Sequence, residues 1–552
     1  MSLSRRAVLT TAVTAVAGSA AASATALWPT PASAASPAGD VVGKITVGYQ
    51  GWFACVGDGA PINAWWHWSQ NWSQAPSPSN NVIKAWPDMR EYAKTYQTAY
   101  ANLNNGQPAT LFSSYDQSTV NTHFLWMQQN GCDTAALQRF NPNSSEGPTR
   151  DAMAGKVRTA AETYGRKFYI MYDVTGWANM QSEIKTDWTG KMSAHTASAA
   201  YARQNGKPVV CIWGFGFNDA NHPWDAATCL DVVNWFKGQG CYVIGGVPRE
   251  WRTGTGGSRS GYLGVYHAFD MLSPWMVGAI GNVADSDNAY NTYTVPDQAD
   301  CTANGIDYQP CVLPGDVSAN QRAHGDFMWR QFYNMVRAGV QGIYISMFDE
   351  YGEGNQIAKT AENQAMTPAG SGLLALDADG TACSSDYYLR LTDDGGRMLK
   401  GQIALTATRP TQPVLGGGGN PSTVVSLRAM ADNDYVTAEN AGASPLIANR
   451  TAIGGWERFD LINNPDGTVS FRAHADNMYV CADNAGASPL IANRTAIGPW
   501  ESFQLVHNSN GTISLLAKAN NMYVTAENAG ASSLIANRTA IGTWEQFTLI
   551  ND

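Results

Sequence analysis

The sequence predicts an α/β TIM (β/α)8 barrel followed by an all-β β-trefoil domain. The barrel is predicted because residues 41–405 alternate apolar runs with amphipathic segments of helical spacing. The trefoil is predicted because the last part of the chain contains one sequence three times, with a period of 44 residues. The length also favours more than one domain, since 552 residues exceed what one ordinary domain holds.

Residues 1–34 are predicted to be a signal peptide of the twin-arginine type. Arg5 and Arg6 precede an apolar stretch rich in Ala and Thr, and Ala32 and Ala34 occupy the positions that a signal peptidase reads. The stretch is too short for a membrane-spanning helix, and no later segment is long and apolar enough. We therefore expect a secreted protein, exported by the twin-arginine route, with no membrane as partner.

Composition and charge narrow the class of ligand. Charged residues make up 14% of the chain and aromatic residues 11%, including 19 Trp. Secreted proteins that act on carbohydrates often have this balance, because Trp and Tyr offer broad apolar faces with one polar edge. The net charge of −10 argues against a phosphate-binding surface, so no nucleic-acid partner is expected. We expect a monomer that acts on a polysaccharide or glycan.

Eight apolar runs in residues 41–405 are the predicted strands. Near-continuous apolar strands followed by helices indicate a parallel sheet covered on its outer side. Eight of them fit a TIM barrel, whose active site lies where the strands end. The predicted strands are 44–49, 134–140, 167–174, 208–215, 242–247, 271–277, 309–313 and 342–348, and the predicted helices include 118–130, 148–164, 192–204, 225–238 and 326–338.

An acidic cluster follows the last predicted strand. The segment ISMFDEYGEG, residues 345–354, ends an apolar run with Asp349, Glu350 and Glu353. Glycoside cleavage uses two carboxyl groups, one as proton donor and the other as base or nucleophile. Neighbouring acids separate their titrations, because ionising one disfavours ionising the other. We predict that Glu350 and Glu353 are catalytic; a solvated loop or a Ca²⁺ loop is the alternative, although the EF-hand spacing is absent.

Polar and aromatic residues near other strand ends complete the predicted site. For the Trp residues and His67 the alternative is packing, and for Arg139 with Asp173 it is a buried ion pair. No CxxC or His/Cys spacing suggests a metal site, and no cofactor is predicted. The predicted substrate-binding residues are Tyr49, Gln50, Trp52, Trp66, His67, Arg139, Asp173, Trp213, Arg249, Trp251 and Asp349.

Nine cysteines are present, and export of the protein would permit disulfides. Cys301 and Cys311 bracket a short loop and are predicted to form a bridge. Cys481 stands where the other repeats have Thr437 and Thr525, so we predict a free thiol there. The remaining cysteines cannot be paired from the sequence; they are Cys55, Cys132, Cys211, Cys229, Cys241 and Cys383.

A Pro- and Gly-rich linker at 406–423 precedes the repeats, which fill residues 424–552. Three units that are each too small to bury a core imply a three-fold trefoil. Trp456, Trp500 and Trp544 recur in register and are expected in its core, since large aromatic residues are mostly buried. The repeated polar residues could be turn residues or three shallow sugar sites; they are Glu439, Asn440, Asp483, Asn484, Glu527 and Asn528.

Stretches along the whole barrel resemble glycoside hydrolases of families 71 and 99, among them VGYQGWF (47–53), YIMYDVTGW (169–177), GGVPREWR (245–252) and MFDEYGEG (347–354). The repeats resemble the fascin-like branch of β-trefoils. The resemblance to family 99 implies retention by a Glu-x-x-Glu pair, in which Glu350 assists the sugar's own 2-hydroxyl and Glu353 is acid, then base. Tyr351 and Gly352 replace the Trp-His of that family, so the sugar stays open between α-mannosides, α-1,3-glucan and substrates of xylosidase/arabinosidase type.

The sequence thus predicts a secreted glycoside hydrolase, with a barrel that cleaves a glycan and a trefoil that holds it near substrate. One alternative is a non-catalytic carbohydrate-binding protein with a degenerate barrel. Another is a trefoil-targeted enzyme of xylosidase/arabinosidase type. The trefoil itself could bind carbohydrate, protein or cell wall.

Overall fold

The computed structural model describes residues 36–413, 423–464, 468–494, 497–508 and 510–551. The predicted signal peptide and the middle of the predicted linker lie outside these ranges, so both stay predictions. Within the described ranges, no helix is long and apolar enough to cross a bilayer.

The first part, residues 36–413, is built around a parallel sheet. All eight predicted strands have a counterpart in it, and two further short strands, Tyr96–Gln97 and Thr110–Leu111, form a separate antiparallel pair. The strands are β1 (Ile45–Tyr49), β2 (Tyr96–Gln97), β3 (Thr110–Leu111), β4 (Thr134–Arg139), β5 (Lys167–Asp173), β6 (Arg203–Gln204), β7 (Lys207–Trp213), β8 (Tyr242–Val247), β9 (Met271–Pro274), β10 (Asp307–Tyr308), β11 (Cys311–Val312) and β12 (Ile343–Ile345).

The parallel sheet curls into a TIM-like arrangement. β1 lies between β4 and β12, and the sheet continues from β4 through β5, β7, β8 and β9. The segment from Asp307 to Val312 meets both ends of this series, because β10 pairs with β9 and β11 pairs with β12. Since the strands are parallel, their carboxyl ends meet at one rim, and the residues that follow β1, β4, β5, β7 and β12 are brought together there.

Helices cover the outer side of this sheet, and four of the five predicted helices are present. The prediction of a helix at 192–204 is wrong, because Met192–Ala197 form a 3₁₀ helix and a helix lies just before them. That helix buries Met180, Ile184 and Trp188 at spacings of four, whereas the later run is mostly small and hydroxyl residues without such a face. The helices are α1 (Gln117–Gln129), α2 (Gly147–Tyr164), α3 (Met180–Gly190), α4 (Ala226–Gly238), α5 (Leu263–Tyr266), α6 (Val283–Ala289), α7 (Val295–Asn304), α8 (Asp326–Ala338) and α9 (Tyr387–Leu399).

The beginning of the predicted linker lies against the first part of the chain. The indole N–H of buried Trp329, in α8, donates to the carbonyl of Thr406 at 3.1 Å. Arg409 donates to Asp326 at the start of α8 at 2.5 Å, and Thr411 donates to Asp394 in α9. Residues 406–412 therefore belong to the first part by their contacts.

The second part, residues 423–551, is entirely β apart from short turns. Each of the three repeats supplies four strands. They are β13 (Thr423–Ala429), β14 (Tyr435–Thr437), β15 (Ile447–Arg450), β16 (Phe459–Asn463), β17 (Val469–Ala473), β18 (Tyr479–Ala482), β19 (Leu490–Arg494), β20 (Phe503–His507), β21 (Ile513–Ala517), β22 (Met522–Ala526), β23 (Leu534–Arg538) and β24 (Phe547–Asn551).

Six of these strands form a closed antiparallel ring. The pairing runs β13–β16–β17–β20–β21–β24 and returns from β24 to β13. Each repeat also contributes one hairpin, β14–β15, β18–β19 or β22–β23. Closure leaves this ring without free edges, and the first and last strands of the region are held together by it.

One glycine in each repeat allows a close contact with a side chain of the neighbouring repeat. Gly442, Gly486 and Gly530 have positive φ values of 86, 82 and 89°, and a Cβ on any of them would lie within about 2 Å of a side chain in the neighbouring repeat. Only glycine accommodates both the conformation and the approach. The contacts are Gly442 with Asp476, Gly486 with Asn520 and Gly530 with Asp432, so they run once around the three repeats.

The two parts have separate hydrophobic cores. That of the second part is made of aliphatic residues and four phenylalanines, Phe459, Phe471, Phe503 and Phe547. The prediction that its repeated tryptophans are core is wrong, because Trp456, Trp500 and Trp544 are 39, 36 and 37% exposed. Val, Leu, Ile, Ala and Phe side chains pack closely in the small interior of the region, and the repeated Trp lies outside it.

All nine cysteines are free and buried, so the predicted Cys301–Cys311 bridge is wrong. Cys301 lies on α7 beside Asp297 and Tyr308, whereas Cys311 lies on β11 beside Ser346 and Tyr344. The two thiols thus have different neighbours although they are close in sequence. Cys481 is free, as predicted.

Candidate active site

The acidic segment after β12 lies at the rim of the barrel, and its first carboxylate is buried. Asp349 is fully buried and accepts hydrogen bonds from the backbone N–H groups of Gln50 and Gly51, both at 2.8 Å. Burial raises the pKa of Asp349 to about 6, while these two N–H groups and Arg150 oppose the rise. Asp349 therefore fastens the loop after β1 to the loop after β12, and its oxygens are already occupied.

Glu350 is the central ionisable group of the site. It is 5% exposed, and its Oε2 accepts from the side-chain amide of Gln50 at 3.0 Å. Its Oε1 accepts from the backbone N–H groups of Gly352 at 3.1 Å and Glu353 at 3.3 Å. A Cβ at Gly352 would lie 3.0 Å from this Oε1, so the absence of a side chain there makes room for the turn. Three N–H donors thus hold both carboxyl oxygens in one orientation.

Electrostatics oppose the ionised form of Glu350. Burial, the charge of Glu353 and the charge of Asp349 raise its pKa to about 8, against the smaller opposing effects of Gln50 and the Glu353 N–H. These effects favour the protonated form of the carboxyl in the free protein, although its hydrogen-bond donors suit a carboxylate. Such a group loses its proton readily once a positive charge or a further donor arrives.

Glu353 differs from Glu350 in being exposed to solvent. Its charge reaches Glu350, as the raised pKa of that group shows. The loop that carries it is fastened at Gly354, where φ is +73° and a Cβ would lie 2.9 Å from Asp316, itself paired with Lys84 at 2.6 Å. The structure thus brings one buried and one accessible carboxyl side by side at the rim.

An aromatic wall stands beside Glu350, on the loop after β1. Trp52 stacks on His67, with ring centroids 3.7 Å apart, and on Phe140 at 5.7 Å. Burial, followed by the charge of Arg150, lowers the pKa of His67 to about 3, so this ring is neutral. Trp66 meets His67 edge-on at 5.1 Å. Of the predicted residues, Trp52, His67 and Trp66 are thus in contact with one another, and Gln50, two residues before Trp52, contacts Glu350.

Two charged residues of the site were missed in the sequence. Glu146 and Arg150 lie at the start of α2, which follows β4. The Arg150 guanidinium is buried and donates to the carbonyls of Gly51 and Gln138. Burial raises the pKa of Glu146, and Asp173 adds to this, while Arg150 and the Trp66 indole lower it. The sequence feature that could have indicated them is a pair of charged residues at the start of the helix that follows β4.

Asp173 and Trp213 stand at the ends of β5 and β7. Burial raises the pKa of Asp173, against hydrogen bonds from Thr175. Trp213 contacts Trp275 edge-on at 5.4 Å, and Trp275 lies 6.4 Å from Tyr344 of β12. The charge of Asp173 reaches both Tyr344 and Glu146, so these residues share the rim with the acidic segment.

Four other predicted residues are engaged elsewhere. Tyr49 is fully buried and shares a hydrogen bond of 2.9 Å with His123. Arg139 is 2% exposed and bridges Asp187 and Asp151 on the outer helices. Trp251 is 1% exposed and donates to Asp297 at 3.0 Å. Arg249 pairs with its neighbour Glu250 and lies over Tyr293. The contacts of Tyr49, Arg139 and Trp251 are those of packing residues, which was the alternative interpretation for Arg139.

The rim contains several buried polar atoms that have no hydrogen-bond partner within the described part of the chain. They include donors, from the indoles of Trp52 and Trp213, and an acceptor, from the amide of Gln50. Leaving such groups unpaired costs free energy, so a ligand rich in hydroxyl groups, which both donate and accept, would complete them. The atoms are Gln50 Oε1, Trp52 Nε1, His67 Nε2 and Trp213 Nε1.

Comparison with known proteins gives structural matches only. No family model and no curated protein matches the chain. The structure of the GH99 endo-α-mannosidase from Bacteroides thetaiotaomicron matches with 14% identity and a TM-score of 0.47, over 65% of this chain and 98% of that chain. The designed three-fold symmetric protein ThreeFoil matches with 22% identity and a TM-score of 0.23, over 24% of this chain and 99% of that chain. A lectin from Polyporus squamosus matches with 14% identity and a TM-score of 0.21, over 23% of this chain and 48% of that chain.

Proposed function

We propose that the protein is a glycoside hydrolase whose catalytic pair is Glu350 and Glu353. The observation that carries the proposal is the side-by-side placement of a buried carboxyl with a pKa of about 8 and an exposed carboxyl at the rim of the barrel. Glycoside cleavage needs two such groups in different protonation states. The unpaired donors and acceptors around Glu350 support a substrate covered with hydroxyl groups.

The environments of the two acids support a different catalytic role for each of them. Glu350 is fixed by Gln50 and two backbone N–H groups, which suit the ionised form, so that after losing its proton it can act as a base toward one defined hydroxyl of the sugar. Glu353 is reached by solvent, which favours a group that gives a proton to the departing oxygen and then takes one from water. This is the pathway with retention in which the 2-hydroxyl is the internal nucleophile, and it needs no third carboxylate.

The sugar and the linkage stay open within this proposal. Tyr351 is fully buried and donates to the carbonyl of Lys359 at 3.0 Å, so it does not supply a group to the substrate. Of the residues between the acids, Gly352 contributes only its N–H to Glu350. Recognition of the sugar is therefore assigned to the aromatic wall and to Glu146. We propose a family 71/99-like enzyme acting on an α-mannan, an α-1,3-glucan or a xylose- or arabinose-containing glycan.

The test is turnover on soluble fragments of these four glycans, followed by NMR of the first anomer released. The wild type is expected to cleave at least one of them with retention. Glu353→Gln and Glu350→Gln are each expected to lose at least about 100-fold in kcat/KM, since general acid–base catalysis contributes roughly that much. Glu162→Gln, at an exposed position of α2, is the matched control and should stay at the wild-type rate.

Two results would contradict the proposal. One is wild-type turnover that survives both substitutions. The other is binding of these glycans without any turnover, which would favour a non-catalytic carbohydrate-binding protein.

The proposal extends to the rest of the chain. We infer that residues 423–551 are a β-trefoil, on the support of the closed six-stranded ring with three hairpins. We also propose secretion by the twin-arginine route, with cleavage after Ala34. Sequencing the amino terminus of the secreted protein should then give Ala35 as its first residue, whereas recovery of the intact chain from the medium would argue against this signal.

A further inference from the structure

A chain of hydrogen-bonded side chains joins the loop after β5 to the loop after β7. The imidazole Nδ1 of His222 lies 2.8 and 2.9 Å from the two carboxyl oxygens of Asp219. Its Nε2 lies 3.1 Å from the hydroxyl oxygen of Thr175. The Thr175 N–H donates to Asp173 at 2.9 Å, and the Thr175 hydroxyl is also hydrogen-bonded to that carboxyl. Asp219, His222, Thr175 and Asp173 are therefore linked in this order.

His222 is held in this chain by its surroundings. It is 5% exposed, and the rings of Trp213, Phe217 and Trp224 lie 5.7, 5.2 and 6.1 Å from its own. Gly214 has a φ of +119°, and a Cβ there would lie 2.9 Å from the imidazole Cδ2. Only glycine gives the ring this room, so the sequence of the loop fixes the orientation of the imidazole.

The geometry also fixes a proton on His222. Against the effect of burial, the hydrogen bonds from His222 and from the Asn221 N–H lower the pKa of Asp219, so this acid is ionised. A nitrogen between two carboxylate oxygens must donate, so Nδ1 carries a hydrogen. When the Thr175 hydroxyl donates to Asp173, its oxygen is free to accept from Nε2. Every donor in the chain then has an acceptor.

The last member of the chain lies at the rim of the barrel. Asp173 ends β5 and is paired in register with Trp213 at the end of β7, on strands that are about 4.8 Å apart. Burial raises the pKa of Asp173, and the hydrogen bonds from Thr175 oppose the rise, so the ionised form depends on these donors. The Trp213 indole N–H has no partner within the described residues. An acceptor and a donor thus stand side by side.

We propose that His222 and Thr175 are positioning residues, which hold the Asp173 carboxylate so that it accepts a hydroxyl of the bound sugar. The inference rests on the proposed function and deepens it. The Trp213 indole N–H donates to the adjacent hydroxyl of the same sugar, because a vicinal diol both donates and accepts. A carboxylate at this position repels a uronic acid, so the sugar recognised here is neutral.

A purely structural role would be to fasten the two loops to each other. Backbone and arginine contacts already do this. The Gly176 N–H donates to the carbonyl of Asn221 at 2.9 Å, and Arg259 donates to the carbonyls of Phe217 and Asp219, both at 2.9 Å. We therefore expect the loops to keep their positions when the side-chain contact between His222 and Thr175 is removed.

The first test is the kinetics of the full chain on the soluble glycan fragment that the wild type cleaves. Thr175→Val keeps the N–H and the shape of the side chain but removes the hydroxyl. It should raise KM roughly tenfold with kcat nearly unchanged, because one hydrogen bond to a charged group is lost from substrate binding. Thr175→Ser restores the hydroxyl and should return KM to the wild-type value.

Thr186→Val is the matched control, because Thr186 is exposed on α3 and its hydroxyl donates only to the helix carbonyl of Ser182. It should keep the wild-type KM. The Tm of each variant establishes that it is folded.

The second test does not depend on turnover. Nitrogen-15 NMR of the imidazole, assigned by loss of the signal in His222→Phe, should show Nδ1 protonated at every pH from 5 to 9. Asp219→Ala removes the acceptor and should shift the neutral ring toward the form protonated on Nε2.

Three results would overturn the inference: an unprotonated Nδ1 in the wild type, a wild-type KM in Thr175→Val, or a Thr175→Ser variant as impaired as Thr175→Val with its Tm intact. Absence of wild-type turnover contradicts the catalytic proposal instead. Calorimetric titration of the wild type and Thr175→Val with the same fragments then decides the present inference. Weaker binding to the variant supports it, whereas equal or absent binding overturns it.

Discussion

At Glu350 two sets of forces act in opposite directions. Three N–H donors converge on its oxygens and favour the carboxylate. Burial and the charges of Glu353 and Asp349 favour the protonated form and raise the pKa to about 8. A shift of this size places the titration inside the working range of an enzyme, so a bound sugar hydroxyl can decide the protonation state.

The pH dependence of activity follows from this pKa. If Glu350 must be ionised to act as base, kcat/KM of the wild type should rise as pH increases, reach half its maximum near pH 8 and level off only above that pH, because this parameter reports on groups of the free enzyme. The measurement is kcat/KM on a soluble fragment between pH 5 and 9, with the protein checked for stability at each pH. A rate that falls through pH 8 would instead make Glu350 the proton donor and reverse the two roles.

The same pKa predicts how Glu350 affects stability. The unfolded value of a Glu is about 4.3, so the folded state binds this proton more tightly and the wild type loses stability as pH rises from there to about 8. Glu350→Gln removes this loss, and Gln50 can turn its unpaired Oε1 toward the new amide. The variant should therefore gain on the wild type by up to about 1.4 kcal/mol per pH unit across this window.

Chemical denaturation of both proteins at pH 5 and pH 8 measures the difference. A gap that is equal at the two pH values would mean that Glu350 has an ordinary pKa. Glu162→Gln again serves as the control, because its carboxyl is exposed.

At the scale of single residues, the sequence located the acidic cluster but not its surroundings. Glu350 and Glu353 could be found because three acids end an apolar run, which local sequence shows. Glu146 and Arg150 could not be distinguished from ordinary helix-start residues, since their burial depends on how α2 packs over the loop after β1. Tyr49 and Arg139 were placed in the site because they end strands, but consecutive strand residues face opposite sides, and theirs face the helix layer.

A cluster of charged side chains, centred on buried Arg139, connects the secondary-structure elements β4, α2 and α3. Arg139 ends β4 and is 2% exposed, Asp187 of α3 is equally buried, and Asp151 of α2 is partly exposed. Tyr172 of β5 also donates to Asp187 at 2.9 Å. The positions of Glu146 and Arg150, at the start of α2, therefore depend on these contacts.

Replacing Arg139 by Met should destabilise the protein by about 3–5 kcal/mol, because it leaves Asp187 buried and uncompensated. The measure is the free energy of unfolding in urea. The double variant Arg139→Met with Asp187→Leu removes both charges and should recover part of the loss. A single variant as stable as the wild type would show that Asp187 finds another partner or is neutral.

Element prediction succeeded where periodicity was strong and failed where tertiary packing decided. The eight barrel strands read as apolar runs, and α2, α4 and α8 have clear helical spacing. The helix predicted at 192–204 failed because its Ala, Ser and Thr residues have little to bury. In the repeats the period was visible in the sequence. The exposure of Trp456, however, depends on the next residue, Glu457, whose side chain closes the turn by accepting from the Gly454 N–H. The general preference of Trp for burial does not predict such a contact.

For the whole molecule, the two separate cores predict that the first part folds without the second. The place of the cut matters, because residues 406–412 bind α8 and α9 through Thr406, Arg409 and Thr411. A chain ending at residue 413 keeps these contacts, whereas one ending at residue 405 leaves the Trp329 indole N–H and the Asp326 and Asp394 carboxylates without them. The cost of several such losses is about 1–3 kcal/mol each for the buried groups.

Truncation after residue 413 should therefore leave the Tm of the first part and its kcat/KM on soluble fragments unchanged. Truncation after residue 405 should lower Tm by several degrees in the same assays. Differential scanning calorimetry of the full chain, which should show the two parts as separable transitions, is the reference. Loss of turnover in the chain that ends at 413, with its fold intact, would mean that residues 414–552 contribute to the chemistry at Glu350, because that chain lacks only these residues.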